Sequence, residues 1–224
     1  MKPSTAFLFD LDGTLLDSAP DLVGSLNWVR ASEQLEPLDV KQMSQHASRG
    51  AMGLINAGMP PSTNEQLERW KEKFLSHYAA NSFVQSSLYP QVEEFLEFLH
   101  KAGIPWGLVT NKAKALTIPI LEAAGLINKV GCVVCGDTLP RSKPDPEPVL
   151  FACKQLGMAP AETLFVGDDI RDMQAGAAAG TILVAVQYGY GSGEIGPDSG
   201  IDAVFINHAA ELFGLVKNQF GTKV

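Results

Sequence analysis

The sequence predicts an α/β fold: a parallel sheet wound on both faces by helices, with an all-helical segment inserted after its first strand. Three observations predict it. Short, wholly apolar runs bounded by turn residues recur along the chain, as expected of strands buried on both faces. Helical periodicity fills the intervals, and glycines stand just past four of the helices, where a C-terminal cap belongs. One interval, from Asp17 to Phe83, is too long and too helical to be an ordinary crossover.

The first strand is Ala6–Phe9, an apolar run stopped by an aspartate. The helical insert follows, with apolar positions at Leu22-Ser25-Leu26-Val29 and Leu67-Trp70-Phe74-Leu75. The chain re-enters the sheet domain near Ser86-Ser87-Leu88-Tyr89-Pro90. Strands are then expected at Trp106–Val109, Val130–Cys135, Leu164–Val166, Ile182–Val186 and Ala203–Ile206. Between and after them come helices at Val92–Ala102, Ala113–Ala124, Pro146–Leu156, Asp172–Ala179 and His208–Gln219. Gly103, Gly125, Gly157 and Gly180 terminate the first four. Such alternation implies right-handed crossovers and a doubly wound, Rossmann-like sheet. The division expected is a core of residues 1–16 and 84–224 with a helical cap of residues 17–83.

The 224 residues are 46% hydrophobic and 19% charged, which excludes intrinsic disorder. The net charge is −8 with no Lys/Arg-rich run, which argues against nucleic acid as a partner. The N-terminal apolar run is too short for a signal peptide. The longest uncharged stretch, Met173–Gly193, is broken by glycines and reads as helix end, turn and strand rather than a membrane span. Three cysteines point to a reducing, cytoplasmic setting. Cys132 and Cys135 have C-x-x-C spacing but fall in an expected strand, which favours buried structural thiols over a redox or zinc site.

The chemistry begins at Phe9-Asp10-Leu11-Asp12-Gly13-Thr14-Leu15, where the first strand ends. Ligands of open parallel sheets bind outside the carboxyl ends of strands, so this pair of carboxylates stands at the expected site. A D-x-D-G-T run arises by chance in only ~2 chains per thousand of this length. Three more segments follow in order: Val109-Thr110-Asn111-Lys112, Ser142-Lys143-Pro144-Asp145-Pro146-Glu147-Pro148, and Val166-Gly167-Asp168-Asp169-Ile170-Arg171-Asp172. With its helical insert, the chain resembles the haloacid dehalogenase-like hydrolase superfamily, whose phosphatase branch carries four such motifs in this order. Within it the likeness is greatest to phosphoglycolate phosphatases. N-acetylmuramic acid 6-phosphate phosphatases share a similar Ser-Lys-Pro-Asp-Pro-Glu-Pro run and the Tyr188-Gly189-Tyr190 loop, whose glycines read as an ordinary turn.

The residue types suit phosphoryl transfer. Asp10 can act as nucleophile, giving an aspartyl-phosphate, and Asp12 as general acid and then base. Phosphate beside two carboxylates calls for a hard cation, and Mg²⁺ suits oxygen ligands. The resemblance assigns that metal to Asp10, the main-chain carbonyl of Asp12, and Asp168. Thr110 and Lys143 supply a hydroxyl and a cation for the phosphoryl oxygens, with Asn111 beside them as a substrate contact. Asp169 and Asp172 support the metal or Lys143, or cap a helix. In the insert, Arg49 within His46-Ala47-Ser48-Arg49-Gly50-Ala51 can present a fork to a substrate carboxylate. The expected partner is a small phosphorylated metabolite; oligomeric state is not legible. A 2-haloacid dehalogenase has no use for Asp12, a mutase of the β-phosphoglucomutase type needs a cap histidine that Pro20–Ser32 lacks, and a non-catalytic module would be expected to have lost an acidic residue.

Overall fold

The computed structural model describes residues 5–220. Six strands form one parallel sheet: β1 (Ala6–Phe9), β4 (Trp106–Val109), β5 (Cys132–Val134), β6 (Thr163–Gly167), β7 (Ile182–Val186) and β8 (Val204–Ile206). Their spatial order is β5-β4-β1-β6-β7-β8. The chain builds outward from β1 in one direction, then returns to its other side through β6. That reversal places the carboxyl ends of β1, β4 and β6 around one crevice, the topological switch point of an open α/β sheet.

The apolar runs have a visible cause. Phe7 and Phe9 of β1 face one layer, where the Phe7 ring meets Phe95 edge-on at 5.3 Å and Phe9 meets Trp106 at 6.1 Å. Leu8 faces the other layer, packed with Val149, Ala152 and Phe165. Both faces of the strand are therefore dry, so no position can be polar. Each fully buried side chain of this size contributes roughly 1.5–3 kcal/mol. Helices α5 (Val92–Ala102), α6 (Lys114–Ala123), α7 (Glu147–Leu156), α8 (Ile170–Ala179) and α9 (Leu212–Phe220) flank the sheet. Gly103, Gly157 and Gly180 close α5, α7 and α8 at positive φ, the conformation that needs no Cβ.

Some boundaries differ from the sequence expectation. The strand expected at Val130–Cys135 is shorter because Val130 closes a turn onto Leu126 and the Cys135 N–H is taken by Thr138 Oγ. Helix α8 starts earlier, at Ile170, because Asp169 caps it. The last helix begins with a separate 3₁₀ turn, Ala209–Glu211, ahead of α9.

The long interval is helical: α1 (Ala19–Ser32), α2 (Val40–Met43), a 3₁₀ turn (Ser44–Arg49), α3 (Gly50–Gly58) and α4 (Asn64–Ala80). Leu22, Leu26 and Val29 of α1 are buried with Leu54 and Ile55 of α3 and Trp70, Phe74 and Tyr78 of α4. At its base, two strands too short to leave a pattern in sequence, β2 (Leu16–Asp17) and β3 (Ser87–Leu88), pair antiparallel. The buried Asp21 carboxylate fastens the return strand: it accepts the main-chain N–H groups of Val84, Gln85 and Ser86, each at 2.9 Å, and the Ser86 hydroxyl at 2.6 Å. No helix among the described residues is long and apolar enough to cross a membrane.

Candidate active site

Asp10 leaves the end of β1 and its carboxylate meets Lys143. The Lys143 ammonium donates to Asp10 Oδ1 at 2.6 Å and to the Val109 carbonyl at 2.7 Å, and pairs with Asp172 Oδ1 at 2.6 Å. Three acceptors saturate its three donors. Lys143 reaches this position because its own main chain is clamped: Asn111 Oδ1 accepts the Lys143 N–H at 3.0 Å, and Asn111 Nδ2 donates to the Lys143 carbonyl at 2.9 Å. Asn111 thus positions the lysine through its amide, and the same side chain lines the cavity described below.

Asp168 ends β6 and is almost fully enclosed. Its carboxylate accepts the Thr14 hydroxyl at 3.0 Å and the Gly191 N–H at 2.8 Å. A side chain at Gly13, Gly189 or Gly191 would overlap it, which explains both the glycine of the first motif and the glycines after β7. Gly189 and Gly191 lie in the loop after β7, as their sequence suggests, and that loop closes over an acidic residue. One turn on, Asp172 serves twice: Oδ1 pairs with Lys143, and Oδ2 accepts the Asp169 N–H at 3.1 Å as part of the cap of α8. Asp169 does not face Lys143. It accepts from Arg171 Nε at 2.7 Å, and Arg171 also reaches the Ser48 carbonyl of the helical segment at 2.5 Å.

Asp10, Asp168 and Asp172 bring one carboxylate oxygen each to within 4.8 Å of one another. Burial pushes the Asp10 carboxyl up to about 7 against the pull of Lys143, with Asp172 and Asp12 adding to the rise. Asp168 is raised for the same first reason, then by Asp10 and Asp172. Burial alone would lower the Lys143 pKa, but Asp10 and Asp172 more than reverse it and keep the ammonium charged. Three buried carboxylates around one ammonium leave an excess of negative charge. A hard divalent cation with oxygen preference fits that donor set.

Above this floor lies a cavity of about 330 Å³, bounded by Asp10, Asp12, Thr110 and Lys143 below and by Leu22, Phe74, Leu75 and Tyr78 of the helical segment. Thr110 is buried and accepts the Lys112 N–H at 3.2 Å, which leaves its hydroxyl proton free to be given. The Asp12 carboxylate is held by Lys112 and by the Ser18 hydroxyl at 2.6 Å. A model of haloacid dehalogenase-like hydrolases matches residues 5–180.

The chain belongs to this hydrolase family.

Among its relatives in the family, the N-acetylmuramic acid 6-phosphate phosphatase of Pseudomonas aeruginosa is 40% identical over 94% of each chain. The phosphoglycolate phosphatase of Chromobacterium violaceum is 35% identical over 97% of this chain and 99% of its own. A solved structure from Haemophilus somnus 129pt, a predicted phosphoglycolate phosphatase, superposes with a TM-score of 0.84 at 30% identity, covering 96% of this chain and all of that one.

Of the residues singled out in sequence, Asp10, Asp12, Thr110, Asn111, Lys143, Asp169 and Asp172 line one cavity, and Asp168 lies beside Asp10 and Asp172. Arg49 sits at the rim, and its Nη2 donates to Glu194 Oε1 at 3.0 Å, with both side chains mostly exposed. Sequence reasoning passed over Lys112, Ser18 and Tyr190. Lys112 had a signal, being a second cation beside the Thr110 motif. Ser18 and Tyr190 had none, since 172 positions separate the two hydroxyls that meet at 2.8 Å.

Proposed function

We propose that the chain hydrolyses a small phosphomonoester through an aspartyl-phosphate on Asp10. Its class, a phosphoric monoester hydrolase, follows from the family and the phosphatases related to it. The observation that carries the reading is the Asp10 carboxylate itself. It is buried, fixed 2.6 Å from Lys143, and open to a cavity that also holds Asp12.

Asp10 attacks phosphorus while Asp12 gives a proton to the departing alkoxide; Asp12 then takes a proton from the water that hydrolyses the acyl phosphate. Lys143 orients the nucleophile and offsets its charge. Thr110 donates its hydroxyl to a phosphoryl oxygen. Asp10, Asp168 and the Asp12 main-chain carbonyl would hold Mg²⁺, with Asp172 beside them. The cation, when bound, supplies neutralisation of the phosphoryl charge that these carboxylates would otherwise repel. Residues 17–83 act as the cap that selects the leaving group and excludes water. A cytoplasmic setting accords with the free thiols of Cys132, Cys135 and Cys153, each raised by burial and unreactive for that reason.

The motifs favour phosphoglycolate, and the lining of the cavity favours a second reading, a larger substrate. A two-carbon acid has no apolar surface to set against Leu22, Phe74, Leu75 and Leu116, and a space of about 330 Å³ is within the range that takes drug-sized ligands. An N-acetylated sugar acid phosphate, such as the P. aeruginosa relative is named for, offers both a ring face and a carboxylate. The test is a panel of phosphometabolites assayed with and without Mg²⁺. The reading expects Mg²⁺-dependent phosphate release, greatest on N-acetylmuramate 6-phosphate; full activity in excess chelator would refute it.

A further inference from the structure

Lys112 is a buried lysine that the mechanism above does not use. Its side chain is 6% exposed, and that of Asp12 is 19%. Lysines are almost never buried without a partner, so the position needs a reason. Both Asp12 oxygens accept from its ammonium, each at 2.7 Å. Its opposite side is covered by the Tyr78 ring of α4, with the ammonium 4.7 Å from the ring centroid. The backbone beneath is fixed as well: the Lys112 N–H donates to Thr110 Oγ at 3.2 Å, and its carbonyl accepts the Gly136 N–H at 3.0 Å. Burial would draw this lysine toward neutrality, but Asp12 and then Tyr78 reverse that and keep it charged.

We propose that Lys112 is the positioning residue of Asp12, and that Tyr78 of the helical segment holds Lys112 in place. The inference rests on Asp12 being the acid and base of the phosphatase reading. A carboxylate on a short side chain can turn about two bonds, and a misplacement of about 1 Å costs on the order of 100-fold in rate. Two donors from Lys112 and one from Ser18 define one orientation of the Asp12 carboxylate. Tyr78 comes from the segment that walls the cavity, so seating that segment and aiming Asp12 are linked through one ammonium. Cation–π contact with a desolvated lysine is the kind of link that a change of ring position weakens.

The experiment uses full-length protein with Mg²⁺, and compares Lys112→Met and Lys112→Arg in the wild-type and Asp12→Asn backgrounds. Substrates are p-nitrophenyl phosphate, whose leaving group needs no proton, and the best alkyl phosphate of the panel. Lys112→Met should lower kcat on the alkyl phosphate about 100-fold, within the span that acid–base catalysis contributes, while KM stays within about threefold. The burst of p-nitrophenol that reports phosphorylation of Asp10 should persist. Lys112→Arg should recover most of the loss, because its fork also meets a carboxylate with two bonds. In the Asp12→Asn background the Lys112→Met change should add less than about twofold. Tyr78→Leu gives a second reading should Lys112→Met fail to fold, with a kcat loss of about tenfold on the alkyl phosphate that shrinks below about twofold in the Asp12→Asn background. A tenfold rise in KM with kcat preserved would make Lys112 a substrate contact and overturn the proposal. So would an undiminished 100-fold loss without the Asp12 carboxylate. A wild type inert on every phosphomonoester would instead overturn the phosphatase reading itself.

Discussion

The floor of the cavity and its rim are built on different principles. On the floor, Lys143 and Asp172 are 3% and 1% exposed and every donor of the ammonium has a protein acceptor. At the rim, Arg49 and Glu194 are 67% and 60% exposed and share one contact at 3.0 Å. Buried charges must be fully partnered to be tolerated, so the floor is held in one arrangement. An exposed pair of this kind contributes about 0–1 kcal/mol and can separate at little cost. The difference teaches where each job is done. On the function proposed above, phosphoryl chemistry falls to the over-determined groups of the floor and selection of the leaving group to the loosely held groups of the rim.

Breaking the floor should give the largest effect. Asp10→Asn should reduce turnover on the order of 10⁴-fold or more, since an amide is neither nucleophile nor good ligand. Steady-state phosphate release on a panel substrate checks this; a loss under tenfold would remove Asp10 as nucleophile. Next comes Asp168→Ala, which should raise the Mg²⁺ concentration for half-maximal activity by about 100-fold, measured by titrating chelated enzyme.

The floor also makes a statement about pH. The Asp10 carboxyl lies near 7 in the folded, metal-free protein against an ordinary 3.8, chiefly through burial. Its folded value is raised, so the stability it contributes is full below about 4 and is lost as pH climbs through 7. In chelator, the melting temperature of the wild type should therefore fall relative to Asp10→Asn across that window and run parallel above it. Melts of both proteins at intervals from pH 4 to 8 decide this; a constant difference throughout would contradict the burial argument.

The same contrast explains what could be read from the sequence. Strands β1, β4 and β7 were legible to the residue because a strand dry on both faces must be apolar throughout. The floor was legible because its chemistry restricts each position to one residue type at the end of a strand. Its contacts were not: that Asp172 holds Lys143 while Asp169 turns to Arg171 depends on where α8 begins, and that in turn on the cap. The hairpin of Leu16–Asp17 with Ser87–Leu88 was invisible, because two residues cannot display a period. Asn111 lies in the right motif, yet its amide faces a backbone, a choice set by the path of the Lys143 loop. At the rim, Arg49 lines the cavity, and its contact with Glu194, which follows 145 positions later, left no trace in the sequence.

The smallest effect should come from the rim, and it bears most on substrate. Glu194 takes one Nη2 contact of Arg49 and competes for its charge with any substrate carboxylate, and the exposure of both side chains keeps an exchange between them inexpensive. Arg49→Ala should change global stability by less than about 0.5 kcal/mol, since exposed substitutions away from caps and cores seldom do more. On a carboxylated phosphomonoester KM should rise about tenfold, the equivalent of about 1.4 kcal/mol, with kcat nearly kept. On p-nitrophenyl phosphate, which has no carboxylate, neither constant should move. Glu194→Gln should act in the opposite direction: with its competitor weakened, Arg49 is freed and KM for the carboxylated substrate falls. A pair that merely fastened the helical segment to the core would behave otherwise, because both substitutions would then raise KM on both substrates alike. The sign of the Glu194→Gln effect therefore separates a recognition residue from a strut, and an increase there would take Arg49 out of the binding site.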